Sequence, residues 1–344
     1  MTTVQTPKRL GFFTRVLDDA VPVERYRLAL EQIVHAERLG FDSAWVAQHH
    51  FHEGEGGLPA PLVFLAQVAT QTARIRLGTG IITLPLELPI RVAEDAAVLD
   101  LLCGGRLEVG VGAGGNLSAF AAFGLDGADR GAVFARNLGL LHDAWAGRLL
   151  PGGDRLYPAS PALADRVWQA TFSVNGGRRA GTAGDGLLLS RTQPRPVDAP
   201  RLSLADIQDP IIDAYLEALP PGRKPRILAS RSVFVADDRE DAVRFAEAGL
   251  GRMRGRLAAA GGPAEATLSD LIAAFDVHLG TPADVIASLR ADRTLARATD
   301  LAVQVHSVDP PHEFILRSIE LVADTVAPAL GWARDDAAGL RRVA

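Results

Sequence analysis

The feature that most constrains the fold is a regular alternation of strand-like and helix-like segments. Eight strand-like runs follow one another, at 9–13, 42–47, 74–82, 107–112, 167–174, 186–192, 226–236 and 301–307. Several, such as LEVGVG, are almost continuously apolar, which is typical of strands covered on both faces in a parallel sheet. The alternation predicts an α/β fold, a closed (β/α)8 TIM barrel, with an open doubly wound sheet as the alternative.

The segments between the strands carry the residues that begin and end helices. Gly40 follows one amphipathic segment at the position where glycine commonly ends a helix, and Pro89 opens another in its first turn. Thr281 and Pro282 provide an N-cap and a first helical residue before ADVIASLR. These signals predict helices between the strands, as a barrel requires.

Two proline- and glycine-rich segments depart from the repeat and are predicted insertions, at 148–166 after the fourth strand and at 192–224 after the sixth. Long insertions in a barrel commonly serve as lids or interfaces, and the second is expected to overhang the site because it follows the C-terminal end of a strand. The alternation resumes after each insertion. Residues 1–344 are therefore predicted to form a single barrel domain.

Composition narrows the class of protein. Of the 344 residues, 48% are hydrophobic, and the net charge is −5 without a basic stripe, which argues against a nucleic-acid partner. No uncharged apolar run reaches 18 residues, so no membrane association is expected. The single cysteine, Cys103, suits a reducing compartment, and the predicted location is the cytoplasm.

Three histidines, His49, His50 and His52, follow the second predicted strand, at the end where TIM barrels bind ligands. A metal site would need further ligands from other strands. The remaining candidates lie in a helix, at a later turn or before strands: His142, His278, Lys8 and Lys224. We therefore expect no metal, a proton-transfer or hydrogen-bonding role for His49, a supporting role for His50, and a structural role for His52.

The fifth predicted strand runs into SVNGGRR, in which small residues lead into a helix starting near Asn175. The free N–H groups and the helix dipole at such a start suit a phosphate, to which Arg178 or Arg179 would add charge. An ordinary tight turn is the alternative for this segment. Arg191 and Arg231, in the triplets SRT and SRS of the sixth and seventh predicted strands, either bind an anionic group or form salt bridges.

The ordered series FDSAWVAQHHF, RIRLGTGIITLPLELPIRVAEDAAVLDLLCGGRLEVGVGAGG and WQATFSVNGGRRAGTAGDGLLLS resembles the luciferase-like flavin monooxygenases, most closely a subgroup described as FMN-dependent. The resemblance covers most of residues 9–192. It implies a TIM barrel that binds reduced FMN at the strand C-termini and reacts it with O2. A flavin C4a-(hydro)peroxide would then oxygenate a small organic substrate.

The resemblance also implies roles for individual residues. The catalytic histidine of the family falls on His49, beside His50, and the acidic residue before that pair is Gln48 here, which keeps hydrogen bonding but loses the charge. A non-prolyl cis peptide beneath the flavin ring would be the Gly80–Ile81 bond.

For the flavin phosphate, an arginine that the family carries after the fourth strand is replaced by Ala113, between Gly112 and Gly114. Arg130 matches a second phosphate-contacting arginine. The small-residue turn that holds the phosphate is matched by Ser173, Asn175, Gly176 and Gly177.

The expected partners follow from the same resemblance. No dinucleotide-binding fingerprint is evident, so a separate NAD(P)H-dependent flavin reductase is expected to supply FMNH2. A homodimer is expected through the helices at 61–73 and 89–103, and packing of each helix on its own sheet is the alternative. The rival functions are an F420-dependent oxidoreductase, which shares the barrel, and a flavin-binding protein without turnover.

Overall fold

The computed structural model describes residues 8–196, 198–199, 202–259, 261–263, 265–305 and 310–332. Its strands are β1 (Arg9–Thr14), β2 (Ser43–Val46), β3 (Arg76–Thr79), β4 (Ile82–Thr83), β5 (Leu107–Gly112), β6 (Val167–Ala170), β7 (Gly186–Leu189), β8 (Ile227–Val235), β9 (Val277–Gly280) and β10 (Asp300–Gln304).

The α-helices alternate with the strands along the chain. They are α1 (Pro22–Arg38), α2 (Pro61–Gln71), α3 (Pro89–Leu102), α4 (Leu117–Ala122), α5 (Arg130–Trp145), α6 (Val174–Ala183), α7 (Leu204–Ala218), α8 (Arg239–Gly251), α9 (Arg254–Ala259), α10 (Leu268–Ala274), α11 (Pro282–Ala291), α12 (Arg293–Arg297), α13 (His312–Leu321) and α14 (Ala327–Ala329). Short 3-10 turns occur at Leu84–Leu86 and Pro161–Arg166, and a π turn at Val322–Val326.

The strands follow the order β10-β1-β2-β3-β5-β6-β7-β8, and β8 also pairs with β10. β4 pairs with β5 and β9 with β8 at the margin of this series. This is the order of an eight-stranded parallel barrel, so the predicted TIM barrel fold is confirmed.

The chain divides into two compact units, one comprising 1–44, 190–207 and 227–344 and the other 45–189 and 208–226. In the first unit β1 pairs with β10 and β10 with β8, in parallel register such as Leu10 with Leu301. In the second unit β3, β5, β6 and β7 pair successively, also in parallel. The residues that the resemblance nominates for flavin binding and catalysis belong to the second unit.

The core of the second unit is built around two tryptophans that lie on glycines. Trp45 and Trp168 pack edge to face with ring centroids 5.6 Å apart. A Cβ atom added to Gly78 would lie 2.3 Å from the Trp45 ring, and one on Gly186 would lie 2.2 Å from Trp168. The buried carboxylate of Glu108 accepts a hydrogen bond from Trp168 Nε1 at 2.7 Å. These glycines let large aromatic rings fill the sheet interior.

Three elements differ from the sequence-based prediction. The third predicted strand is interrupted, because β3 ends at Thr79 and β4 begins at Ile82. β9 was missed, since it has only four residues. The second predicted insertion contains α7, a 15-residue helix whose backbone packs closely against α6. α7 thus takes the place of the helix between β7 and β8, and residues 197, 200 and 201 of that insertion lie outside the described residues.

Within the described ranges, none of the helices has the length and apolar character needed to cross a membrane.

Candidate active site

Gln48 lies two residues beyond the end of β2, and its buried amide joins three segments of the chain. Its Nε2 donates to the carbonyl of Pro59 at 3.2 Å and to Glu87 Oε1 at 2.8 Å, and its Oε1 accepts the N–H of Thr83 at 2.7 Å. Because the Thr83 N–H can only donate, the amide oxygen must face it, which fixes the orientation of the amide. Both amide hydrogens are therefore used within the protein.

His49 is held between its own loop and a close glycine. Its backbone N–H donates to the carbonyl of Leu58 at 3.0 Å. A Cβ atom on Gly56 would lie only 2.4 Å from His49 Nδ1, so Gly56 packs directly against the half-buried imidazole. The sequence analysis did not single out Gly56. The only local signal was the EGEGG run that follows the histidines.

His50 forms an aromatic cluster with Phe51 and Phe123. Its ring packs edge to face on Phe123 at 5.1 Å and lies 5.8 Å from Phe51, and the two phenylalanines are 5.5 Å apart. Within the described residues, the buried Nε2 atom of His50 has no hydrogen-bond partner. Burial lowers the pKa of His50, and the negative charge of Glu87 opposes that shift. A neutral imidazole at pH 7 is the consequence.

The loop that carries the histidines is joined to the segment after β5 by two side-chain contacts. His52 Nε2 lies 2.9 Å from Ser118 Oγ, and Asn116 Nδ2 donates to Glu55 Oε2 at 2.7 Å. His52 is exposed and engaged in this contact. The structural role that the sequence predicts for His52 stays a prediction.

The ends of β3, β5 and β6 meet at Gly112. The Gly80–Ile81 peptide is cis, as the resemblance implies, and the Gly80 N–H donates to the carbonyl of Val46 at 2.8 Å. A Cβ atom on Gly112 would lie 2.9 Å from Ile81 Cδ1 and 3.6 Å from Ala170 Cβ. The predicted residues Gly80, Ile81 and Gly112 are thus brought together.

The segment that leaves β5 continues through Ala113, which is half-buried, to Gly114, which has a φ of 78° and lies against the Thr83 side chain. Ala113 offers no polar side chain. Any cation at this end of the second unit must come from another element.

The predicted phosphate turn begins α6. Ser173 is its N-cap, with Oγ accepting the N–H of Gly176 at 3.1 Å, and Asn175 is exposed in the first turn. A Cβ atom on Gly176 would collide with Thr171 Oγ1 at 1.9 Å, and one on Gly177 with the Ile211 carbonyl at 2.4 Å. Packing within the protein therefore explains both glycines. The exposed helix start remains suited to an anion.

Arg130 is the second element of the predicted phosphate site. It is the first residue of α5, is half-buried, and donates to the carbonyl of Gly127 at 2.8 Å. Among the residues that the structure describes, no carboxylate pairs with it. The side chain therefore keeps donors for a ligand.

α5 and α6 come after the paired parallel strands β5 and β6, and one side-chain contact joins the two helices. The Arg179 guanidinium lies 4.7 Å from the centroid of the Phe134 ring. Phe134 lies four residues after Arg130 in α5, about 6 Å along the helix axis. Arg179 lies six residues after Ser173 in α6, about 9 Å along its axis. Arg130 and the Ser173 turn therefore lie at the same end of neighbouring helices.

The two other arginines considered for the phosphate are engaged elsewhere. Arg178 lies 3.7 Å from Glu217 on α7 and is exposed. Arg179 donates to Gln169 Oε1 at 2.9 Å while it packs on Phe134. Arg130 is thus the cation best placed at this end of the second unit.

Over the described ranges, no group of three or more His, Cys, Asp or Glu side chains is placed to hold a metal ion.

Comparison with known proteins gives the family. The sequence profile of the luciferase-like monooxygenases matches residues 10–299. The chain is 32% identical over 327 residues to 4-hydroxyprotoasukamycin monooxygenase of Streptomyces nodosus subsp. asukaensis, covering 87% of this chain and 85% of that protein. It is also 34% identical over 180 residues to an F420-dependent glucose-6-phosphate dehydrogenase of Beutenbergia cavernae, covering 48% and 53% of the two chains.

Among solved structures, the oxygenating constituent of 3,6-diketocamphane monooxygenase of Pseudomonas putida, a type II Baeyer-Villiger monooxygenase in complex with FMN, superposes with a TM-score of 0.74 at 19% identity. The superposition covers 94% of this chain and 98% of that one. The profile match and the 32% identical relative together show that the chain belongs to the luciferase-like monooxygenase family, as a flavin-dependent monooxygenase.

Proposed function

We propose that the protein is an FMN-dependent monooxygenase that receives reduced FMN from a separate NAD(P)H-dependent reductase and oxygenates a small organic substrate with O2. The observation that carries this proposal is the half-buried Arg130, which has no carboxylate partner among the described residues and lies at the same end as the start of α6. A cation beside a helix N-terminus fits a phosphate dianion.

The remaining residues fit the rest of the flavin. Arg130, Ser173 and Asn175 would hold the phosphate, with the backbone of Gly176 and Gly177 behind them. The ends of β3 and β5, at Gly80, Ile81, Gly112, Ala113 and Gly114, would face the ring. Gln48 would contribute by fixing the loop beside Thr83.

Reduced FMN, when bound, would be the group that reacts with O2. The protein would then position and move protons. His49 is the group proposed to hold or transfer a proton, because it follows β2 with its imidazole fixed against Gly56. His50, with a buried Nε2 that has no partner among the described residues, would support it.

Binding distinguishes this proposal from the F420 alternative, which the similarity to the F420-dependent dehydrogenase favours. We expect anaerobic titration to show binding of FMNH2 and none of reduced F420. With a candidate substrate present, 18O2 should place labelled oxygen in the product. Binding of F420 alone would replace the proposal, and binding of FMNH2 without oxygen transfer to any member of a substrate panel would favour a flavin-binding protein.

The Arg130→Ala variant tests the phosphate site directly. Loss of a charge-assisted hydrogen bond worth about 1.5–3 kcal/mol should weaken FMNH2 binding about 10- to 100-fold. Arg148→Ala is the matched control, because Arg148 follows the same helix but is exposed and paired with Asp143. Equal affinity of the two variants would contradict the assignment of Arg130.

Assembly and location belong to the same proposal. The 3,6-diketocamphane monooxygenase neighbour is described as an oxygenating constituent, which supports a separate reductase as partner. A homodimer is supported by exposed apolar side chains on α2 and α3, with Val63 73%, Leu101 61% and Leu102 70% exposed. The cytoplasmic location stays a prediction, based on the free thiol of Cys103.

A further inference from the structure

Glu87 follows the short turn Leu84–Leu86 and was not among the residues that the sequence nominated. Its Oε1 accepts the Gln48 Nε2 hydrogen bond of 2.8 Å. The turn that carries it is anchored, since the Glu87 N–H donates to the carbonyl of Leu84, which also accepts from the buried Asn137 Nδ2 at 3.1 Å. The carboxylate is thus attached to a fixed turn rather than to a long free loop.

The hydrogen-bond pattern makes positions 48 and 87 dependent on each other. The oxygen of the Gln48 amide faces the Thr83 N–H, so the nitrogen must face Glu87 and the Pro59 carbonyl. A glutamate at position 48 would put an oxygen there, opposite two acceptors and without a hydrogen to share. A carboxylate at 87 therefore requires an amide at 48.

Glu87 also acts on the neighbouring imidazole. The aromatic rings that pack on His50, those of Phe51 and Phe123, are uncharged. Burial lowers the pKa of His50, and Glu87 is the charged group whose field raises it. Because the His50 Nε2 has no hydrogen-bond partner among the described residues, no protein contact at that atom fixes its protonation state.

We propose that Glu87 is the charged positioning residue of the candidate active site: through Gln48 it ties the His49-His50 segment to the loop after β3, and it supplies the negative charge that acts on His50. Only the view that these histidines line a reaction site rests on the proposed function. The geometry itself does not depend on which flavin is bound.

Three variants separate charge from hydrogen bonding. Glu87→Gln keeps an acceptor for Gln48 Nε2 but removes the charge. Gln48→Glu sets two carboxylates against each other. The exchange Gln48→Glu with Glu87→Gln restores a donor between the two side chains and moves the charge to position 48. Glu94→Gln is the matched control, because Glu94 lies on α3, is half-buried, and is paired with Arg91.

Two quantities are measured. The pKa of His50 is obtained by NMR of protein labelled at histidine, and stability is given by the midpoint of thermal unfolding. We expect Glu87→Gln to shift the His50 titration to lower pH while the unfolding midpoint stays near that of Glu94→Gln. Gln48→Glu should lower the midpoint, and the exchange should recover part of the loss, since only the Pro59 carbonyl then lacks its donor. In an oxygenation assay, the pH profile of turnover should move with the His50 titration.

An unchanged His50 titration in Glu87→Gln would overturn the electrostatic part of the proposal, and an exchange no more stable than Gln48→Glu would overturn the pairing. Both readouts use the flavin-free protein. They therefore stand even if FMNH2 fails to bind, which would count against the proposed function alone.

Discussion

Gly177 lies where α6 and α7 are in close contact, and two interpretations of this glycine can be tested: it serves helix packing, or it lets a phosphate approach the backbone. If the glycine serves helix packing, alanine there should disturb α7, since the new Cβ would lie 2.4 Å from the Ile211 carbonyl oxygen. Gly181, one turn further along α6, meets the Tyr215 carbonyl in the same way at 2.3 Å. Gly139, in α5, is exposed and has no atom within 4 Å of the added Cβ.

The magnitudes follow from two opposing effects. Replacing glycine by alanine inside a helix stabilises it by about 1 kcal/mol. Forcing the two backbones apart costs about 1–3 kcal/mol, as overpacking generally does. Gly139→Ala should therefore be stabilised by about 1 kcal/mol. Gly177→Ala and Gly181→Ala should be about 1–3 kcal/mol less stable than Gly139→Ala.

Urea unfolding of the three variants, followed by circular dichroism, measures these differences, and anaerobic titration with FMNH2 measures the effect on the site. The packing interpretation requires Gly177→Ala and Gly181→Ala to lose similar stability. If Gly181→Ala proves as stable as Gly139→Ala, the reasoning from the Cβ contacts is refuted. If Gly177→Ala alone loses FMNH2 affinity at unchanged stability, the glycine serves close approach of the phosphate instead.

Two further predictions concern stability and assembly. Burial, and then the nearby Arg231, hold the pKa of His278 below its ordinary 6.5. Below pH 6.5 the unfolded chain therefore takes up a proton at this histidine that the folded protein does not, and the stability of the fold declines. His278→Asn should flatten the fall in thermal midpoint between pH 7.5 and 5, and an unchanged fall would contradict this reasoning. Leu101→Asp, on α3, should convert the proposed dimer to a monomer in sedimentation. Leu149→Asp is the control, because Leu149 is also 61% exposed in the wild type, and it should leave the dimer intact. A dimer in both variants would exclude the α3 face as the interface.

The elements of the barrel were predictable because their signals are local. Thr281 and Pro282 begin α11, where Thr281 and Asp284 form a reciprocal capping box. Apolar runs located all eight barrel strands within a few residues. β9 escaped because four residues, including the polar His278, give too short a pattern. Arg231, left open between two roles, is fully buried and ion-paired with Asp292 at 2.5 Å.

The candidate site was only partly predictable. The histidines, the helix start at Ser173 and Arg130 could be named from short motifs and the family resemblance. The partners of Gln48 could not, because they lie 11, 35 and 39 residues away and are brought together only by the loops after β2 and β3. The same holds for Phe123, which meets His50 from a segment that no local pattern connects with it.

The two contacts that join the histidine loop to the segment after β5 bear on how such loops can be exchanged among related proteins. His52 with Ser118 and Glu55 with Asn116 connect stretches 66 and 61 residues apart. A histidine loop transferred alone into a related protein would lack the partners of His52 and Glu55 unless residues 116–118 were transferred with it. Chimeric enzymes should therefore inherit the two stretches as one unit, and natural sequences should vary at these two pairs of positions together.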